Sequence, residues 1–135
     1  MNWQRFVLAV LISGVASSIT DMIFMGMLFR NKYKEAAEMF RLQEGQSTGS
    51  SILASAVIGL VGSGAFIYLC MWTGALTVPH AELRMAAIVW LAAPVPVILS
   101  NVVWTKLHPL LGLSHSLGWL ARFVISSLVA VKLLH

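Results

Sequence analysis

The chain has 135 residues, 59% of them hydrophobic and 10% charged, with a net charge of +4. A soluble domain carries roughly 45–50% apolar and about 25% charged residues. A soluble globule and a disordered chain are therefore excluded, and Cys70 stands alone, so there is no disulfide scaffold. The length is that of one domain, and the composition is that of an integral membrane protein. The Lys and Arg residues sit mostly at the ends of apolar runs, where they meet headgroups, and no basic patch is interleaved with aromatics. The expected partner is the lipid bilayer, and nucleic acid is not one.

A bilayer core of about 30 Å takes about 20 apolar residues in helix. Four stretches qualify: Phe6–Phe29, Ile52–Trp72, Met85–Trp104 and Leu113–Val131. The first opens like a signal peptide, with Arg5 before an apolar run and a small-residue pair at Gly14 and Ala16. The run continues well past Ala16, so it is read as an uncleaved helix. After it, Tyr33, Ala36, Ala37 and Phe40 fall at i, i+3, i+4, i+7, the pattern of a short interfacial helix. Gly45–Ser51 reads as a turn back into the bilayer.

The second span carries Ser51, Ser55, Gly59 and Ser63 at four-residue spacing, a face on which Ser55, Gly59 and Ser63 are expected to pack a neighbouring helix closely. Its GLVGSG string lies inside an apolar run, so it is no phosphate loop. Thr77, Pro79 and Glu82 look like the start of the third span, which Pro94 and Pro96 should break or kink. Lys106, His108 and Pro109 lie in the third loop. Trp3, Trp72 and Trp104 fall near span ends, as interfacial aromatics do. Short loops make neighbours antiparallel, so the expected fold is an all-α, four-helix up-down membrane bundle with a short interfacial helix after the first span. Five Lys and Arg flank loops one and three against three on the other side, which favours those loops in the cytoplasm. The expected location is a bacterial inner membrane.

The informative residues are those that lipid should not hold. A charge at the bilayer centre costs at least about 2.5–3.5 kcal/mol, so it faces a partner, a cavity or a pathway. Asp21 lies eight residues from Phe29, about 12 Å deep, and Arg122 nine residues from Leu113, about 13.5 Å deep. Both depths are measured from the face of loops one and three, so an Asp21–Arg122 ion pair is expected between the first and last spans. His115, Trp119, Arg122 and Ser126 share one face of the last span, and Ser13, Ser17, Thr20 and Asp21 one face of the first. Asn101 lies in the same leaflet. The candidate pocket is Asp21, Asn101, His115, Trp119 and Arg122. A buried pair that only fixes helix packing is the competing reading.

No histidines fall at i, i+4 and there is no HExxH or GxSxG, so no metal, cofactor or hydrolase chemistry is expected. The segment SSITDMIFMGMLFRNKYKEAAEMF resembles a bacterial four-helix membrane family of unknown function, domain-of-unknown-function family 1761. Leu28, Phe29, Lys32 and Tyr33 carry the likeness, and Gly118 and Trp119 add to it in SHSLGWLARFVISSLVAV. The resemblance implies a four-span fold and no known activity. Two function classes remain. In one, the pocket transports or conducts a small solute, proton or ion, and a chain this short works as a homodimer. In the other, the bundle is an accessory or binding subunit of a larger membrane complex. A membrane enzyme using His115 and Asp21 as acid and base has no specific signal behind it.

Overall fold

The structure is a computed structural model that describes residues 2–35 and 49–134, the side chains of 50 and 51 apart. The described residues are helical, with no strand among them. Helix α1, Trp3–Ile23, is capped by Asn2, whose Oδ1 accepts from the Arg5 amide at 3.2 Å. It runs on into a π-helical segment, Phe24–Leu28, closed by the Phe29 amide on the Phe24 carbonyl at 2.9 Å. The wider π turn was not foreseen from the sequence; Phe24 and Met25 within it line the cavity described below. Helix α2, Arg30–Glu35, follows. Ala36, Ala37 and Phe40 of the expected interfacial helix lie outside the described residues, as does most of the expected Gly45–Ser51 turn.

Helix α3, Gly49–Trp72, leads through a 3-10 turn, Ala75–Thr77, to α4, Ala81–Ala92. The turn pivots on Gly74 at φ +71°, a left-handed conformation that a Cβ would strain. The third span is broken where its prolines predict. Ala93, at φ −121° and ψ −71°, separates α4 from α5, Pro94–Trp104, which has proline in its first turn. Helix α6, Pro109–Leu134, completes the chain. Its first turn is tied to His108, whose Nδ1 accepts from the Leu110 amide at 3.2 Å.

Among the described residues, four helical stretches are long and apolar enough to cross a membrane: Trp3–Leu28, Ile52–Trp72, Ala81–Trp104 and Pro109–Leu134. The chain is an all-α membrane-spanning bundle in contact with lipid. Helix α6 is its centre and packs against α1, α3, α4 and α5. Its most apolar window is 33% buried, against 6% for the third span, which therefore lies at the outside. The core of Ala9, Phe66, Ile67, Cys70, Ala86, Phe123 and Ala130 fills the half of the bundle away from loops one and three. Phe66 and Phe123 stack at 4.9 Å. The outer span is pinned by Trp90, whose Nε1 donates to the Ser116 carbonyl at 2.8 Å and to its hydroxyl at 3.1 Å. Polar contacts between membrane helices contribute about 0.6 kcal/mol each, up to about 1.7. Trp90→Phe should therefore lower stability by about 1 kcal/mol in a detergent unfolding titration; no shift would mean the indole is held by shape alone.

Candidate functional site

The ion pair that the depth arithmetic requires is present. Arg122 Nη2 donates to Asp21 Oδ2 at 2.6 Å, joining α6 to α1. The Arg122 side chain is 7% exposed and that of Asp21 33% exposed. The arginine is the more deeply buried partner, and both side chains stand on the wall of a cavity of about 240 Å³. That cavity is also lined by Phe24, Met25, Ser55, Gly59, His115 and Trp119.

Two glycines make room for the pair. A Cβ on Gly59 would stand 2.9 Å from Arg122 Cζ, and one on Gly118 would stand 2.8 Å from Asp21 Oδ1. The guanidinium thus lies in a notch in α3, and the carboxylate rests on a bare stretch of α6. Trp119 flanks the arginine, its ring centroid 5.5 Å from Cζ, within cation–π range. The indole in turn lies over Gly62, where a Cβ would come within 2.9 Å of it.

The loop-one end of the site is bridged by Tyr33 of α2. Its hydroxyl donates to Ser114 Oγ at 3.3 Å and lies 3.3 Å from His115 Nε2, with the two rings edge-to-face. Partial burial pushes the Tyr33 phenol above its usual range; the Ser114 hydrogen bond opposes this and the Asp21 charge adds to it. The phenol stays protonated and able to donate.

Of the expected pocket residues, Asp21, His115, Trp119 and Arg122 come together, and Asn101 does not. Asn101 is exposed on α5, outside the cavity lining, and its carbonyl accepts from the Thr105 amide and hydroxyl at the helix end. Ser55 lines the cavity, Ser63 is buried, and Gly59 receives a side chain rather than a helix backbone. Small residues do pack helices at Gly14, where a Cβ would meet Leu60 of α3. The proline break lies away from the cavity, which takes no residue from α4 or α5. Tyr33, Ser114 and Gly118 were not read as pocket residues. The signal for the last two was available, since Ser114, Gly118 and Arg122 repeat at i, i+4, i+8 on one face. No group of three or more His, Cys, Asp or Glu residues among the described residues could hold a metal ion.

Fold and site together define a small polytopic membrane protein with a charged pair on the wall of an intramembrane cavity. The chain belongs to the family described as protein of unknown function (DUF1761), whose model matches residues 8–131. It is also 30% identical over 131 residues to the Na(+)/H(+) antiporter NhaB of Citrobacter koseri, an alignment covering 88% of this chain and 24% of that protein. To the Na(+)/H(+) antiporter NhaB of Aliivibrio fischeri it is 28% identical over 127 residues, covering 85% and 23%. The chain spans about a quarter of the length of these curated relatives. No solved structure matches it.

Proposed function

We propose that this chain moves a proton or small monovalent cation across a bacterial inner membrane, with Asp21 as the loading group and Arg122 as its built-in counter-charge. The observation that carries this reading is the setting of the pair: a deeply buried arginine bonded to a carboxylate that keeps a third of its exposure, both on the wall of an opening between the helices. A purely structural pair gains nothing from that opening. An ion entering the cavity competes with Arg122 for the carboxylate. Once Asp21 is loaded, Arg122 is an unpaired cation in a low dielectric. It repels a second cation, and reclosing of the pair favours release. The name of the distant relatives, a sodium–proton antiporter, points to the same ion class. A bundle of four spans encloses little space, so the working unit is a homodimer or part of a larger complex. The accessory-subunit reading is supported by the two glycine notches, which also suit a packing device.

The test is ion flux into liposomes containing the purified protein, with a pH-sensitive dye inside and a proton or sodium gradient across the membrane. Asp21→Asn should reduce flux per folded protein to that of protein-free liposomes, while Asp21→Glu should retain part of it. Unchanged flux in Asp21→Asn would end this reading.

A further inference from the structure

Helix α2 is lightly anchored. None of its six residues is buried, nor is any residue of the π-helical segment that leads into it. Tyr33, partly buried, ties it to α6 through the two contacts of its hydroxyl with Ser114 and His115, each at 3.3 Å. That distance is long for a hydrogen bond from a hydroxyl, so each contact is readily given up. Elements held by few buried contacts are the ones that open at least cost.

This tie stands where the cavity meets the loop-one side. The lining residues nearest that side are Met25 on α1, Ser55 on α3, and Ser114 with His115 on α6. Past the ion pair the bundle is closed. Ser13, Ser17, Ser63 and Ser126 are each at most 1% exposed, and the core of Phe66, Ile67 and Cys70 fills that half. An ion at Asp21 therefore has its route to water on the loop-one side, and Tyr33 stands on it.

The segment between Asp21 and α2 has a second winding open to it. The Phe29 amide bonds to the Phe24 carbonyl, and in an α-helix it would bond to that of Met25 instead. That exchange removes one residue from the turn. Everything beyond it rotates by about 100°, which carries Tyr33 off α6. The segment has no buried residue to oppose the change, and Gly26 has nothing within 4 Å of where a Cβ would stand. Phe29, at φ −112° and ψ 13°, already sets α2 apart from the segment. Single π turns in α-helices recur at functional sites.

We infer that α2 is a lid on the Asp21 site. Tyr33 latches it to Ser114 and His115, the π-helical segment is its hinge, and the site loads from the loop-one side when the latch opens. The inference rests on the reading of Asp21 as the loading group. In this structure the lid is shut. Opening exchanges two long hydrogen bonds for bonds to water. It leaves the Asp21–Arg122 pair in place, because Asp21 lies before the hinge on α1.

The experiment follows the lid and the ion flux in the same full-length protein in liposomes. Spin labels go on Lys34→Cys of α2 and Leu110→Cys in the first turn of α6, both exposed positions, with buried Cys70→Ala as background. Pulsed electron paramagnetic resonance then gives the distance between α2 and α6. Tyr33→Phe keeps the ring and loses the hydroxyl. It should raise the weight of a longer distance about fivefold, as the loss of one hydrogen bond predicts, and raise the flux with it. If the distances are the same in the parent and in Tyr33→Phe, α2 is fixed and the lid is wrong. If α2 moves while the flux stays that of the parent, Tyr33 does not guard the site and the lid is again wrong. In both cases the Asp21 reading stands as long as Asp21→Asn abolishes flux. If Asp21→Asn conducts like the parent, the reading beneath the inference fails.

Discussion

Arg122→Met should destabilise the bundle by about 3 kcal/mol. Breaking a buried pair by removing one partner costs about 3–5 kcal/mol, because the other charge is left uncompensated. The lower end applies here, since Asp21 keeps 33% of its side-chain exposure and part of its hydration. Asp21→Asn should cost at least as much, because it strands the more deeply buried partner, and a guanidinium cannot shed its proton. The double variant Asp21→Asn, Arg122→Met carries neither charge and should recover most of the stability of the parent. Detergent unfolding titrations of the three variants check this. Single variants as stable as the parent would mean that the pair carries little of the bundle's stability.

The pair was legible because helical rise is fixed and loops one and three share a face, so counting residues gives depth. His115 and Trp119 followed from Arg122 by helical spacing alone. Asn101 failed because depth does not give direction. The break at Ala93 separates α5 from α4, and the far end of α5 presents Asn101 outward while its carbonyl serves the Thr105 cap. The π-helical segment had no warning in the sequence, yet it places Phe24 and Met25 on the cavity wall. Glu82 read as a helix-start residue, since a glutamate in a first turn is ordinary there. In the structure it is only 7% exposed, with Ser127 of α6 donating to its backbone carbonyl, and no local pattern encodes that. Gly59 was read as a helix-packing position, and the group beside it in the structure is the Arg122 guanidinium. A run of small residues states that something comes near without stating whether it is backbone or an arginine.

That neighbour makes Gly59 the second sensitive position. A Cβ there would stand 2.9 Å from Arg122 Cζ and 3.0 Å from Nη2, closer than packed atoms tolerate. A free arginine terminus would simply swing aside. This one is held by Asp21 on one side and the Trp119 ring on another, so the methyl of Gly59→Ala must strain the ion pair. Overpacking of this kind costs about 1–3 kcal/mol, and the bulkier Gly59→Val should add the loss of the pair itself. Gly26, with nothing within 4 Å of its virtual Cβ, is the control: Gly26→Ala should leave stability unchanged or raise it slightly. The decisive measurement is a double-mutant cycle. In a background of Asp21→Asn with Arg122→Ala there is no guanidinium in the notch, so Gly59→Ala should cost nothing or become favourable through helix propensity. If Gly59→Ala costs the same with and without the arginine, the notch serves the approach of α3 to its neighbours, and the ion pair does not depend on it.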